Sequence, residues 1–230
     1  QNWILEELER GNGQVAVCPT KPVYDSYNHE LEPHGYDIQR ARELLSEAGW
    51  TDSDGDGILD RNGERFEFTF KLGSSRPFYQ MITGQLNDAC EQVGIVMNTQ
   101  IVEWATYIDD LVNQRDFDAV SYYMGGDPWV DFYDGYHSST TVPGGDNTSG
   151  WENERVDEIL EASRREFDQA RRDGMYREFC EIFHEEQPET LLIHGLVGVL
   201  SNRRFENVSI RPTGMQSFDQ WVEPENVLHP

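Results

Sequence analysis

At one point of the chain, Tyr123-Met124-Gly125-Gly126-Asp127-Pro128-Trp129 gathers a carboxylate, two glycines and two aromatic rings. Glycines have no Cβ, so backbone there can approach a guest closely. A carboxylate and an indole beside them suit a cationic, partly apolar guest. The same residues also fit a Gly-Pro turn that carries a surface Asp127 and a packed Trp129. Phe117 to Met124 reads as the strand that leads into this stretch.

A second chemical candidate is the acidic stretch Asp52-Ser53-Asp54-Gly55-Asp56-Gly57-Ile58-Leu59-Asp60. Asp52, Asp54, Asp56 and Asp60 match oxygen-donor positions of a calcium loop, and Gly57 matches its turn. The twelfth position should be a bidentate Glu, but Gly63 stands there and Glu64 follows one step late. An alternating strand comes next, which excludes a helix–loop–helix calcium hand. A solvated acidic hairpin without metal is therefore expected. His29, His34, His137, His184, His194 and His229 show no ligand spacing. No nucleophile elbow, phosphate loop or paired catalytic motif is present. Neither enzyme activity nor a cofactor is expected.

The elements that must position these groups follow from pattern. Trp3 to Glu9 is a helix candidate ended by Gly11-Asn12-Gly13. Residues 14 to 36 look irregular, with Pro19, Pro22 and Pro33 as breakers and a short extended piece at Val15 to Val17. Asp37 caps a predicted helix from Ile38 to Ala48, with Ile38, Ala41, Leu44, Leu45 and Ala48 as one apolar stripe and Gly49 as its stop. Phe66, Phe68, Phe70 and Leu72 alternate with Glu67, Thr69 and Lys71, so one strand face should be buried. Pro77 starts a long helix that Gly94 ends. Ile95 to Ile101 is a strand, and Trp104 to Val112 a shorter helix. Asp131 to Gly150 reads as loop. Two helices follow, one with Val156, Ile159 and Leu160 inward, the other from Asp168 to Glu186 with Met175, Phe179, Ile182 and Phe183 inward. Leu191 to Leu200 reads as one or two short strands. Strands separated by helices predict an α/β fold, with a largely parallel or mixed sheet flanked by helices.

Composition narrows the function. The 230 residues carry 43 acids against 18 bases, a formal net charge of -25. The acid excess runs along the whole chain. Such a surface repels nucleic acid and anionic membranes. It fits a protein that works in high salt, where screening tolerates self-repulsion, so a halophilic source is one reading and an acidic mesophile the other. The apolar stretch Leu191 to Leu200 is too short to span a membrane and contains His194. Gln1 opens a polar stretch with no basic start of a secretory signal, and the chain begins as if mid-protein. We expect a processed or excised piece. Cys18, Cys90 and Cys180 are odd in number and far apart. Cys90 and Cys180 fall in amphipathic helices and read as small buried hydrophobes; the cysteines do not decide the compartment.

Several stretches together resemble one family. Tyr36-Asp37, Ala41, Leu44-Leu45 and Glu47-Ala48-Gly49-Trp50 are similar to a helix ending in a Leu-Leu-x-Glu-Ala-Gly signature. The turn Asp54 to Ile58 with Asn62-Gly63, the strand Phe117-Asp118-Ala119 leading to Gly126-Asp127, the stretch Asn147 to Trp151 with Val156 to Leu160, and Pro188 before Leu191 follow in matching order. The chain resembles the C-terminal lobe of extracytoplasmic solute-binding proteins of the peptide/nickel class, family 5, which serve ABC importers. The resemblance implies the second lobe of a two-lobed periplasmic-binding-protein-like fold. Residues 1–35 would be a lobe-connecting or irregular segment, 36–200 the substrate-binding lobe, and 201–230 a segment returning toward a missing first lobe. It implies a periplasmic or cell-surface location, with a lipid anchor an option for the full-length protein. The partners would be a peptide or other small solute, the ABC permease subunits and the N-terminal lobe. A sugar, an opine-like compound or a metal chelate is the alternative solute, and a sensory or adhesion module the alternative use.

Within that resemblance Asp127 matches the aspartate that pairs with a ligand's α-ammonium in peptide-binding members. Gly125, Gly126 and Trp129 would surround the guest. Here the chain departs from many peptide binders, which carry a bulky group before the acid and a Tyr after it. Tyr123 and Trp151 are second choices, to stack on a guest or to pack the lobe. Arg115 is near enough along the chain to partner a ligand carboxylate, but it stands at a strand start away from Asp127 and is expected to be a surface charge.

Overall fold

The computed structural model describes residues 4, 6, 10–74, 77–122, 131–196, 200–211, 214–216 and 220–227; residues 77–79, 210, 211, 214–216 and 225 are described by backbone alone. The expected Trp3 to Glu9 helix lies outside them except for Ile4 and Glu6. In chain order the elements are β1 (Gly13–Val15), α1 (Ile38–Glu47), β2 (Asp60–Arg61), β3 (Glu64–Arg65), β4 (Glu67–Gly73), α2 (Pro77–Gln92), β5 (Val96–Val102) and α3 (Trp104–Asp109), which runs on into a wider π turn (Asp110–Gln114). Then come β6 (Ala119–Val120), α4 (Tyr133–Tyr136), a 3-10 turn (Ser138–Thr140), α5 (Glu154–Ser163), α6 (Gln169–Glu186), β7 (Ile193–Gly195), β8 (Phe205–Glu206), β9 (Ser209–Arg211), β10 (Gly214–Gln216) and β11 (Trp221–Val222). The fold is α/β, as expected.

Contacts divide the chain into two compact units. One contains His34 to Tyr122 with Phe132–Glu161. Its centre is a parallel sheet in the order β5-β4-β6. β4 pairs with β5 from Glu67↔Val96 to Gly73↔Val102, and with β6 at Phe70↔Ala119 and Lys71↔Val120. Parallel neighbours need crossover connections, and α2 and α3 supply them, packing on β5 and β4. Val156, Ile159 and Leu160 of α5 are all buried, as their spacing predicts.

Three expectations need correction here. First, the apolar stripe of α1 is only half-buried, at Ile38, Ala41 and Leu45. Asp37 caps the helix, its carboxylate accepting Arg40 N–H at 2.9 Å, yet no α1 residue is buried and Leu44 is 48% exposed. Periodicity shows that a helix has an apolar face, not that another element covers it. Second, Lys71 does not face water but is only 7% exposed. β4 is the central strand, and the face that carries Lys71 is covered where the chain returns through Asp110 and Asp116. Lys71 Nζ donates to Asp110 Oδ2 at 2.8 Å and to the Asp116 carbonyl. Third, the strand expected from Phe117 to Met124 is laddered only at Ala119–Val120 among the described residues. Asp118 Oδ2 instead accepts the β4 amide of Thr69 at 2.8 Å, replacing a strand carbonyl with a carboxylate.

The buried lysine leads to a prediction. Its hydrogen bond to Asp110 holds the ammonium pKa above its usual 10.5. The pair's contribution is therefore fully present below about pH 10.5 and fades only as pH rises through the raised value. Lys71→Ala strands Asp110 without its counter-charge and should cost roughly 3 kcal/mol at neutral pH, read from denaturant unfolding. A loss below about 1 kcal/mol would mean that water solvates Asp110.

The second unit contains the N-terminal residues up to Pro33 and those from Ala162 onward. β1 and β7 pair antiparallel, Gln14 opposite His194. α6 starts at Asp168, whose carboxylate accepts Arg171 N–H at 3.0 Å. Its buried face includes Tyr176, Phe179, Cys180 and Phe183, while Met175 and Ile182 are half-buried. Cys180 is not a lone small hydrophobe. It forms a disulfide with Cys18, 162 residues away, with Cα atoms 5.3 Å apart. Both cysteines are fully buried, beside Val17, Tyr27 and Leu31. Spacing along a sequence cannot show a partner so distant. The disulfide fits an oxidising compartment. No helix among the described residues is long and apolar enough to cross a membrane.

Candidate functional site

Open parallel sheets present ligands at the carboxyl ends of their strands. Here β4 ends at Gly73, β5 at Val102 and β6 at Val120, and Ser74 N–H donates to the Val102 carbonyl at 2.8 Å. α3 rises directly from that edge. Glu103 caps it, its carboxylate accepting the Ala105 amide at 2.7 Å. Trp104 stacks on Tyr107 with ring centroids 5.5 Å apart and 22° between planes. Gly73 makes room for this pair, because a Cβ there would lie 2.9 Å from the Trp104 ring. Tyr107 is buried, and its hydroxyl donates to the Ser121 carbonyl. α3 is thus tied to the strand that leads toward Asp127. Ser121 Oγ is itself buried there with no hydrogen-bond partner. Sequence reading missed Trp104, Tyr107 and Ser121 as residues of this edge; strand ends followed directly by an aromatic helix start are the signal for the first two.

Tyr123, Gly125, Gly126, Asp127 and Trp129 lie outside the described residues. Trp151 is half-buried and meets the buried Tyr136 edge-on, centroids 6.4 Å apart. Its carbonyl accepts Asn147 Nδ2–H at 2.8 Å. The loop expected from Asp131 to Gly150 is more ordered than its composition suggests, since α4 and the 3-10 turn lie within it. Asn147, fully buried, organises it. Its Nδ2 also donates to the His137 carbonyl, and its Oδ1 accepts from Ser149 Oγ at 3.1 Å. Arg115 is not a surface charge. Its guanidinium donates to the carbonyls of Asn147, Val142 and Gly145 at 2.7, 3.1 and 3.1 Å. Three backbone carbonyls from a loop some thirty residues on are invisible to a reading of local charge. Gly145 is required there, since a Cβ would fall on the Thr140 carbonyl oxygen.

The acidic hairpin brings Asp52, Asp54 and Asp56 together, all exposed, with ligand oxygens within 4.8 Å of one another. Their oxygens already have donors. Asp52 accepts the amides of Gly55 and Gly57 at 2.7 and 3.0 Å, Asp54 that of Asp56, and Asp56 that of Ile58. Arg65 pairs with Asp56 at 3.0 Å. Asp60 turns to Ser53, accepting its amide at 2.9 Å and its hydroxyl at 2.7 Å. The Ser53 amide and then its hydroxyl hold the Asp60 carboxyl below its usual pKa. The hairpin closes on its own backbone. Micromolar calcium should therefore leave the melting temperature unchanged. A clear upward shift that Asp54→Ala abolishes would contradict this. His29, His34, His184 and His194 join no metal-binding cluster among the described residues; His194 Nε2–H donates to the Cys18 carbonyl at 3.0 Å. His229 lies outside them.

Comparison with known proteins agrees with this geometry. Residues 1–146 match the profile of the family described as bacterial extracellular solute-binding proteins, family 5, middle region. The oligopeptide-binding protein AppA of Bacillus subtilis is 29% identical over 194 residues, which cover 83% of this chain and 36% of AppA. Its structure in complex with a nonapeptide superposes with a TM-score of 0.82 at 26% identity, covering 96% of this chain and 44% of that one. Di/tripeptide-binding protein 3 of Pseudomonas aeruginosa is 26% identical over 224 residues, 94% of this chain and 39% of the relative. Heme-binding protein A of Haemophilus influenzae is 23% identical over 219 residues, with 94% and 38% covered. The chain spans well under half the length of these relatives. It belongs to the family 5 bacterial extracellular solute-binding proteins, a class that works outside the cytoplasm.

Proposed function

We propose that this chain is the second lobe of a solute-binding protein that hands its solute to an ABC permease, and that the solute is a short peptide. Residues 36–200 would form the substrate lobe, 1–35 its connection and 201–230 the return toward a first lobe. The observation that carries the reading is the carboxyl edge of β4, β5 and β6, where α3 is fastened to Ser121 and the chain runs on toward Gly125-Gly126-Asp127. Asp127 would neutralise the peptide's ammonium through a charge-assisted hydrogen bond. The buried, unpartnered Ser121 hydroxyl supports a polar guest at this edge. Gly125 and Gly126 would let backbone amides pair with the guest, while Tyr123 and Trp129 line it and water fills the remaining side-chain space. Relatives named for oligopeptide and di/tripeptide binding support the peptide as solute.

A second reading, a haem or metal chelate as solute, rests on the haem-binding relative. A thermal-shift comparison on the full-length protein separates the two. Mixed di- and tripeptides should raise the melting temperature by linkage while haem and a nickel–histidine chelate do not. Stabilisation by haem or the chelate alone would favour the second reading.

A further inference from the structure

We infer that His137 is a proton-sensitive latch: neutral, it holds the turn at Ser138–Thr140 closed, and protonated, it lets that turn go. His137 is buried, and its Nδ1 accepts the amide of Ser139 at 3.0 Å, which caps the turn. An Nδ1 that accepts carries no proton, so the neutral ring must bear its proton on Nε2. Nε2 is buried without a hydrogen-bond partner, and Glu161 Oε1 stands 3.6 Å from it. On the other side Asp157 Oδ1 lies 3.8 Å from Nδ1, while it accepts the Ser138 amide at 2.8 Å. Tyr133 stacks on the imidazole with centroids 4.1 Å apart.

Adding a proton reverses one contact and strengthens two. Nδ1–H would face the Ser139 N–H, donor against donor, and the capping bond is lost. The cation would be drawn to Asp157 and Glu161, which α5 presents four residues apart. Other charged groups on these elements include Asp134 of α4, Asp146 of the loop, Glu152, which accepts from Thr141 Oγ1 at 3.3 Å, and, on α5, Glu154 and the pair Arg155–Glu158, 2.7 Å apart. The cations nearby are already engaged, Arg115 by three carbonyls of the loop and Arg155 by Glu158. Once protonated, the ring would swing toward the two carboxylates of α5. What moves is the turn, which the His137 carbonyl also ties to Thr140 and Asn147.

The test is long-range proton–nitrogen NMR of the His137 ring at pH 8 and pH 5, with exchange protection of the Ser139 amide corrected for intrinsic rates. At pH 8, Nδ1 should be bare and Nε2 protonated. At pH 5 both should be protonated and Ser139 protection should fall at least tenfold. His137→Asn offers Oδ1 as a non-titrating acceptor in the same capping role, so its Ser139 protection should be equal at both pH values. The proposal is overturned by an Nδ1-protonated ring at pH 8, by a ring still neutral at pH 5, or by Ser139 protection that survives double protonation. Equal loss of protection in His137→Asn on acidification would also overturn it.

Discussion

Reduction of the Cys18–Cys180 disulfide is expected to lower the unfolding free energy by roughly 2–5 kcal/mol, the usual range for removing a native cross-link. The bond joins residues 162 positions apart, and in the chain-entropy account a long closed loop lies toward the upper end of that range. The cross-link fastens an irregular stretch that regular secondary structure does not support. Among the described residues from Ala16 to Asp37 there is neither helix nor strand. What holds that stretch is side-chain work: His194 to the Cys18 carbonyl, Asn28 Nδ2 to Glu181 Oε1 at 2.9 Å, Arg177 to the Asp25 carbonyl at 2.5 Å, and the cluster of Val17, Tyr27 and Leu31 around the sulfurs. Denaturant unfolding with and without reductant measures the difference. The Cys18→Ala/Cys180→Ala variant should unfold as the reduced protein does and show no response to reductant. A change under about 1 kcal/mol on reduction would mean that these contacts hold the segment alone.

Much of the architecture was legible because it rests on local signals. Asp37 caps the helix it was expected to cap, and Asp168 caps the helix expected to begin there, since a carboxylate before an amphipathic run has a backbone amide to take. Pro77 and Gly94 bracket α2 and its exit. The succession of alternating strands and helices led to a parallel order, because such strands cannot pair through tight turns. What escaped was set by distant chain. Lys71 looks solvent-facing until Asp110 and Asp116 return over it, and Arg115 looks like a surface charge until the 142–147 loop folds onto it. Cys180 looks like a small core residue until Cys18 arrives from the other end of the chain. The α1 stripe is covered only in part: Ile38, Ala41 and Leu45 are half-buried and Leu44 is exposed, since periodicity does not say how much of an apolar face another element covers. At the candidate site, a strand through Ala119–Val120 was legible, though not how short its ladder is among the described residues. The lashing of α3 to Ser121 was not, since a tyrosine hydroxyl's acceptor depends on tertiary placement.

Asp127 is proposed to supply the counter-charge for a peptide's ammonium. Its position in the chain, after β6 and the two glycines, and the family's peptide-binding relatives motivate it. Asp127→Asn keeps the side-chain size and removes the charge. In a closed cleft the ammonium would then be buried unpaired, a loss on the order of 2–5 kcal/mol, or about thirtyfold to several thousandfold in Kd. A ligand without an ammonium should be nearly indifferent. The most direct measurement is calorimetric titration of the full-length protein and its Asp127→Asn variant, each with a tripeptide and with its N-acetylated form. The account predicts a large loss for the free-amine peptide, a small one for the acetylated peptide, and an unchanged melting temperature without ligand. Equal losses for both peptides would contradict it and leave Asp127 as a turn residue.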